Sequence, residues 1–248
     1  RAISYVCGDA SNAYECDPLP ERELAVFEAA GLDYSEEISN GELKRFRRHV
    51  LLLRPSLVVI YDELEANKPV RWDWLLHCRQ QMESSGSTLS VAGVEASADI
   101  RASVPMEVTV KTEPLHLPID FEGRRGRAVG SPYPIKGAHA VVSSTEKSEK
   151  LRVVSLIQVG AKYEIRRMDG KINCGDWTIE AEMDVEKLAN LNIHNKDKSA
   201  RFLLKSESTG ESILTETIDG KTQHFKTVDE LPYAARHLES VSNIGAAN

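Results

Sequence analysis

Residues 70–77 of the 248-residue chain read VRWDWLLH, and this stretch decides the fold class. Its large apolar side chains fall on every second position, at Val70, Trp72, Trp74 and Leu76. A period of two is that of a β-strand with one buried face, whereas a helix repeats its apolar side chains every three or four residues. The two indoles would stand side by side, either against a bound sugar ring or within a core. Their apolar neighbours favour the core.

The same alternation recurs along the chain, in residues 106–111, 151–159 and 177–183. Turn signals separate the strand-like runs, at Arg54-Pro55-Ser56, Ser85-Gly86-Ser87, Asp169-Gly170-Lys171, Thr209-Gly210-Glu211 and Asp219-Gly220. Short strands joined by such turns are typical of antiparallel sheets rather than of alternating strands and helices. The pattern predicts an all-β protein, a large antiparallel β-sandwich with one or two short helices and roughly 12–15 strands in two sheets.

The remaining segments predict the organisation around this sandwich. Residues 20–31 carry Pro near the start, acidic residues in the first turn and Gly at the end, which indicates a short helical insertion. Residues 228–240 are a candidate second helix. Residues 114–134 contain four prolines and little periodicity, which indicates a long surface loop, and residues 242–248 read as a tail. Strand spacing is otherwise continuous, so we expect residues 1–248 to form a single domain.

Composition excludes several classes of function. A net charge of −7 opposes binding to nucleic acid, which requires a positive field at the phosphates. No apolar run is long enough to cross a bilayer, so no membrane partner is predicted. Four cysteines occur without the spacing of a zinc ribbon or a CxxC pair. We expect free thiols, although Cys7 and Cys16 are close enough in sequence to form a bridge.

No set of catalytic residues can be completed from the sequence. The seven histidines show no HxH, HxxxH or HExxH spacing. The chain lacks a GxSxG nucleophile elbow and a phosphate-binding glycine loop. Catalytic residues therefore stay unassigned, and neither a metal nor a cofactor is predicted in this chain.

Four residues are candidates for contact with a bound anion. Arg48 lies in the basic cluster 44–48, and Arg124 and Arg125 lie in the cluster 124–127. Such clusters are either solvated faces or sites for a carboxylated or sulfated sugar, which the guanidinium fork suits. His77 follows the tryptophan stripe on the opposite strand face, beside Asp73. It is either a surface histidine or one whose pKa the carboxylate tunes.

Two segments carry a resemblance to a known family. Residues 45–77, RFRRHVLLLRPSLVVIYDELEANKPVRWDWLLH, resemble a stretch of the heparinase II/III-type polysaccharide lyases. The matching elements are Arg48-His49-Val50, Pro55, Val58-Val59, Asp62, Trp74 and His77. Upstream, VCGDA at residues 6–10 with Ala13-Tyr14 resembles the GDA-x-x-AY segment of the same family.

The resemblance implies an architecture and a chemistry. Lyases of this type join an N-terminal helical toroid to a large antiparallel sandwich, and they cleave uronic-acid-containing polysaccharides, among them glycosaminoglycans, by β-elimination. A base removes the proton at C5, and a neutralising group stabilises the enolate-like intermediate. Many members hold zinc in the sandwich. The resemblance also implies a periplasmic or secreted protein whose partners are an acidic polysaccharide and a toroid domain.

The chain departs from the family where the chemistry lies. The family's catalytic residues belong to the toroid, which nothing here resembles, and its zinc segments (H-x-H, D-P-G and H-N-T) do not occur. The resemblance therefore implies the C-terminal sandwich portion of a lyase, inactive by itself, with any zinc held elsewhere in the parent enzyme. The alternative is a non-catalytic sandwich that binds acidic glycans or supports a neighbouring domain.

Overall fold

The structure of the protein is a computed structural model. It covers residues 2–11, 43–78, 80–91, 93, 95–111, 138–160, 163–168, 170–206 and 212–227. The predicted helices at 20–31 and 228–240, the loop at 114–134 and the tail at 242–248 lie outside the described residues. So do Arg124 and Arg125.

Every regular element in the described ranges is a β-strand, and all strand pairs are antiparallel, which confirms the predicted fold class. Within these ranges no helix has the length and apolar character needed to cross a membrane. The strands form three sheets, where the sequence predicted two.

The middle sheet has seven strands in the order β1-β2-β3-β10-β7-β6-β5. Its strands are β1 Ile3–Asp9, β2 Leu43–Leu53, β3 Leu57–Val70, β5 Met82–Ser85, β6 Thr88–Val91, β7 Ala96–Ala102 and β10 Ser148–Val159. The turn at residues 54–56 joins β2 to β3, as the proline signal predicted. Because β10 pairs with both β3 and β7, it is the strand that joins β1–β3 to β5–β7 in one sheet.

The C-terminal sheet also has seven strands, and they follow one another in chain order as a meander. They are β11 Ile165–Met168, β12 Lys171–Cys174, β13 Trp177–Ala181, β14 Asn190–Asn195, β15 Ala200–Ser206, β16 Ser212–Ile218 and β17 Lys221–Thr227. Asp219 and Gly220 connect the last two strands, with φ of 49° and 76°. Positive φ at both central residues is the requirement of a type I′ hairpin turn, which an Asp-Gly pair meets at little cost.

The three-stranded sheet has the order β4-β9-β8. Its strands are β4 Asp73–Cys78, β8 Met106–Lys111 and β9 Ala138–Ser144. The stretch VRWDWLLH therefore spans two sheets, because β3 ends at Val70 and β4 begins at Asp73. Trp72 lies at the corner, where its backbone N–H donates to Ser144 Oγ (3.0 Å) and its Nε1–H donates to the Ser148 carbonyl (3.0 Å).

Two cores lie on opposite faces of the middle sheet. One contains Leu51, Val59 and Leu156 together with Ile179 and Phe202 of the C-terminal sheet, and its other buried members come from the same two sheets and, with Ala189, from the β13–β14 connection. The second joins the middle sheet to the three-stranded sheet and contains Trp72 and Trp74. Alternation along β10 serves both cores, since Val154 and Leu156 enter the first while Leu151 and Val153 enter the second. The predicted core role of the tryptophans is confirmed.

Candidate functional site

Most of the described residues that carry the family resemblance lie on β1, β2 and β3, while Trp74 and His77 lie on β4. Cross-strand register sets Arg47 between Asp9 and Glu63, and it sets Arg48 opposite Asp62. Alternation then turns Arg47 and His49 toward the C-terminal sheet and Arg48 toward the other face. Basic residues on β2 therefore lie opposite acidic residues on β1 and β3, and the strand register places them to form ion pairs.

Three close ion pairs form within this unit, which we call the motif network: Asp9, Arg47, Arg48, His49, Asp62 and Glu63. Arg48 binds Asp62 with both fork nitrogens, at 2.7 and 2.9 Å. His49 Nε2 lies 2.9 Å from Glu63 Oε1, and Arg47 Nη2 lies 3.2 Å from Asp9 Oδ2. His49, Asp62, Glu63 and Arg47 are buried, and buried charges persist only when they are paired and hydrogen-bonded.

His49 and Glu63 form a charged pair at neutral pH. Burial by itself would lower the pKa of His49, but hydrogen bonds to Cys7 and Glu63 raise it to about 9. Burial opposes ionisation of Glu63 too, yet the hydrogen bond and charge of His49, with the charges of Arg47 and Arg45, lower the pKa of Glu63. Both directions agree that imidazolium faces carboxylate.

The pKa of Asp62 shifts in the opposite direction from that of Glu63, although Arg48 donates two hydrogen bonds to Asp62. Burial raises the pKa of Asp62, and the hydrogen bonds and charge of Arg48 only partly offset that rise. The Arg48 guanidinium also lies 5.6 Å from the centroid of the Phe46 ring. Arg48 is half-exposed and already bidentate to a buried acid, so an anion that bound Arg48 would have to share it with Asp62.

Tyr5 completes a row of acid–base groups, but the row is not arranged for proton transfer to a substrate. Tyr5 Oη lies 2.9 Å from His49 Nδ1. Burial, followed by the neighbouring Cys7, raises the pKa of Tyr5 well above its ordinary value. His49 is therefore protonated and Tyr5 neutral at neutral pH, and neither can accept a proton from a sugar ring.

A cleft of about 270 Å³ opens beside the motif network, between the middle sheet and the connection from β13 to β14. Basic side chains dominate its lining, and acidic side chains lie among them: Arg45, Arg47, Lys150, Arg152 and Lys187, with Glu63, Glu65 and Glu186. His49 and Tyr5 do not line it. The cleft is concave, polar and large enough for one or two sugar rings.

Arg152 on β10 is engaged in holding the wall of this cleft. Its guanidinium is buried and donates to the carbonyls of Glu182 (3.1 Å), Asp184 (2.7 Å) and Lys187. Tyr61 Oη donates to the same Glu182 carbonyl at 2.7 Å. Side chains of the middle sheet therefore fix the backbone of the β13–β14 connection, and this shapes the cleft.

Three cations at the rim are more accessible. The side chains of Arg45, Lys150 and Lys187 are 39%, 36% and 64% exposed. Lys150 Nζ lies 3.3 Å from Glu186, and Lys187 Nζ lies 3.4 Å from Asp184. Exposed pairs of this kind contribute about 0–1 kcal/mol, so an incoming carboxylate can displace them at small cost.

His77 projects from the outer, exposed face of the three-stranded sheet, as alternation predicted. Asp73 shares that face, but its Oδ1 accepts from Ser143 Oγ at 2.6 Å. The aromatic neighbour of His77 is His139, the residue opposite it on β9, with ring centroids 4.4 Å apart. Within the described residues no cluster of three or more metal-binding side chains occurs.

Of the four predicted site residues, the structure describes Arg48 and His77, and it does not bring these two together. Arg48 belongs to the middle sheet, and His77 belongs to the three-stranded sheet. The sequence placed Arg47 only within the basic cluster 44–48, and it assigned no site role to Glu63 or Arg152, yet all three are buried charges. A sequence pattern could have indicated the burial of Arg47, because Arg47 shares one face of β2 with His49 and the apolar Leu51.

No family model and no curated protein matches this chain. Among solved structures, the chain is similar to one described as heparinase III, the BT4657 gene product, with 13% identity and a TM-score of 0.37 over 76% of this chain. A form of that protein with methylated lysines matches at 13% identity and a TM-score of 0.33. The chain spans about a quarter of each matched structure, 24% in both cases.

Proposed function

We propose that this chain is the β-sandwich region of a heparinase II/III-like polysaccharide lyase, and that it binds acidic polysaccharide without performing the elimination itself. The observation that carries the proposal is the motif network. Asp9, Arg48, His49 and Asp62, which carry the sequence resemblance, each take part in one of its three cross-strand ion pairs. Two of these pairs lie on one face of the sheet and the Arg48–Asp62 pair lies on the other, and together they support a structural reason for the motif, namely the assembly of β1–β3.

The basic cleft supports the part of the proposal that concerns the ligand. A uronate presents a carboxylate on a polar ring, and the rim cations Arg45, Lys150 and Lys187 are suited to that charge. The competing acids Glu186 and Asp184 are exposed and can turn into solvent. Arg47 and Arg152 lie deeper and keep the cleft electropositive while holding its walls.

The protonation states of the motif network support the proposal that this chain binds the polysaccharide but does not perform the elimination. Elimination requires a base that can reach the C5 proton and is unprotonated at the working pH. His49 is buried and protonated, and the phenol of Tyr5 beside it is neutral. The carboxylates of Asp9 and Glu63 are ionised but are held in ion pairs with Arg47 and His49, so none of these groups is a base free to reach the C5 proton. We therefore assign the elimination to residues outside the described part of this chain.

The binding part is tested by calorimetry of the chain with uronate-containing oligosaccharides from heparan sulfate and alginate. Lys150→Ala with Lys187→Ala is expected to weaken binding by at least about tenfold, equivalent to about 1.4 kcal/mol. The control is Lys171→Ala with Lys196→Ala, which removes two exposed lysines from the C-terminal sheet and its β14–β15 turn, away from the cleft. Unchanged affinity in the cleft variant contradicts the cleft assignment. Loss with Arg124→Ala and Arg125→Ala instead would move the site to that cluster.

The lyase part is tested by the absorbance of unsaturated product ends. The chain alone is expected to release none, whereas a longer protein containing it should release them from a uronic-acid polymer. Product released by the chain alone would contradict the proposal that it does not perform the elimination. A longer protein that leaves glycosaminoglycans and alginate uncut would contradict the lyase assignment.

A second candidate function, support of a neighbouring domain, is favoured by one surface. On the face of β1–β3 that lies away from the C-terminal sheet, Val50, Leu52, Val58 and Ile60 are only half-buried, and Val6 is 61% exposed. Apolar side chains on both faces are typical of strands covered on both sides. Val6→Lys should then lower the thermal stability of a longer protein while leaving that of the isolated chain unchanged. Equal effects on both would argue against this role.

A further inference from the structure

We propose that His77 and His139 form a binding site for a divalent transition-metal ion on the outer face of the three-stranded sheet. The two residues are direct cross-strand partners on β4 and β9, which fixes both Cα positions. Their ring centroids are 4.4 Å apart, with 29° between the planes. This proposal is independent of the proposed function.

The spacing of the rings fits one shared ion. Imidazole nitrogens bind zinc at about 2.0–2.1 Å, so two nitrogens on one ion lie at most about 4 Å apart. The two ring centroids are 4.4 Å apart, so two of their nitrogens can reach that separation when the stacked rings turn about their side-chain torsions, with the strands unchanged. Imidazole is a ligand for Zn²⁺, Cu²⁺ and Ni²⁺, and the neutral ring is the binding form.

A second observation points to a missing ligand. His139 Nε2 is buried and has no hydrogen-bond partner within the described residues. A polar atom that has lost water without gaining a partner is destabilising. A coordinated ion would satisfy this nitrogen once the rings have rotated, while His77, which is exposed, gives the ion access from solvent.

The site would have two protein ligands and water at the remaining positions. The next residue in the same cross-strand row is the basic Lys111 of β8, so we expect the ion on the His77 side of His139. Asp73 on the same face is already bonded to Ser143 and lies one row beyond the apolar Leu75 and Val141. With no third ligand in the described residues, we expect moderate affinity and an open coordination sphere. The site would accept ions that favour nitrogen over oxygen.

The experiment is calorimetric titration of the metal-stripped chain with NiCl₂ and ZnCl₂ at pH 7.5, in a Cys78→Ser background that removes the nearest thiol on this sheet. We expect one ion per chain. His77→Ala and His139→Ala should each weaken binding by at least about tenfold. His224→Ala, which removes another exposed strand histidine, should leave it unchanged. Mn²⁺, which binds nitrogen sites least well in this series, should bind more weakly than Ni²⁺.

Several results would overturn the proposal. One is the absence of binding heat for either ion. Another is affinity that survives His77→Ala, whose exposed side chain can be removed without unfolding the sheet. Equal loss in His224→Ala would indicate scattered surface histidines, and equal binding of Mn²⁺ would indicate carboxylates. Because His139→Ala touches a partly buried ring, its near-ultraviolet circular dichroism is recorded first, and His77→Ala decides the outcome if that spectrum changes.

Discussion

At the scale of single residues, the charge state of His49 makes the stability of this protein depend on pH. Tyr5, Cys7, Glu63 and Arg47 face this imidazole or its partner from β1, β2 and β3. Its pKa rises from the ordinary 6.5 to about 9 in the folded protein. Between these values the folded protein retains a proton that the unfolded chain has released.

The contribution of His49 to the free energy of unfolding should therefore be fully present below pH 6.5 and should be lost as the pH rises toward 9. A shift of this size corresponds to a fall of at most about 3.5 kcal/mol. Urea unfolding at several pH values across this window measures it. His49→Gln, which keeps a donor for Glu63 but cannot titrate, should flatten the curve, whereas the exposed control His224→Gln should retain it. A slope that survives in His49→Gln would show that another group is responsible.

Residue-scale prediction from the sequence succeeded where only the face of a strand mattered. The burial of Trp72 and Trp74 and the exposure of His77 follow from a period of two. The partners of charged residues did not follow, because a pair such as His49 and Glu63 depends on cross-strand register. Register is set by the turn at 54–56 and by the packing of both faces, which a single strand's pattern does not contain.

At the scale of elements, Arg152 couples β10 of the middle sheet to the β13–β14 connection of the C-terminal sheet. Arg152→Met should leave three backbone carbonyls without their charged donor and lower the free energy of unfolding by about 3 kcal/mol. Hydrogen exchange should rise first in residues 182–190, where the amides of Glu182 and Lys187 are bonded within the connection. Arg201→Met, an exposed arginine bonded to Asn192, is the control and should change stability by less than about 0.5 kcal/mol. Uniform exchange in Arg152→Met would contradict the anchoring role.

Element boundaries show where strand patterns stop being informative. VRWDWLLH alternates without interruption, yet the chain leaves the middle sheet after Val70 and enters the three-stranded sheet at Asp73. Alternation continues because Trp72 at the corner still faces the core that the two sheets share. When a chain passes from one sheet to another and keeps the same face toward the core, the spacing of its apolar residues does not change. For this reason two sheets were predicted where the structure has three.

At the scale of the whole molecule, two cores share the middle sheet, and β10 contributes neighbouring residues to each. Loss of β10 would open both cores together, so the sequence prediction of one domain implies a single unfolding transition. The chain contains three tryptophans, and they divide between the cores, with Trp177 in the first and Trp72 and Trp74 in the second. Each core therefore has its own fluorescent probe.

Two variants separate these probes and test the one-domain prediction. Trp177→Phe leaves the tryptophans of the second core, and Trp72→Phe with Trp74→Phe leaves the one of the first. Tryptophan fluorescence and far-ultraviolet circular dichroism should give the same urea midpoint within each variant, because Val153 and Val154 tie the cores to one strand. If fluorescence departs from circular dichroism in either variant, the shared sheet does not make the cores cooperative and the chain holds two folding units. Since each comparison is made within one variant, a loss of stability caused by the substitution itself shifts both signals equally and cannot imitate that result.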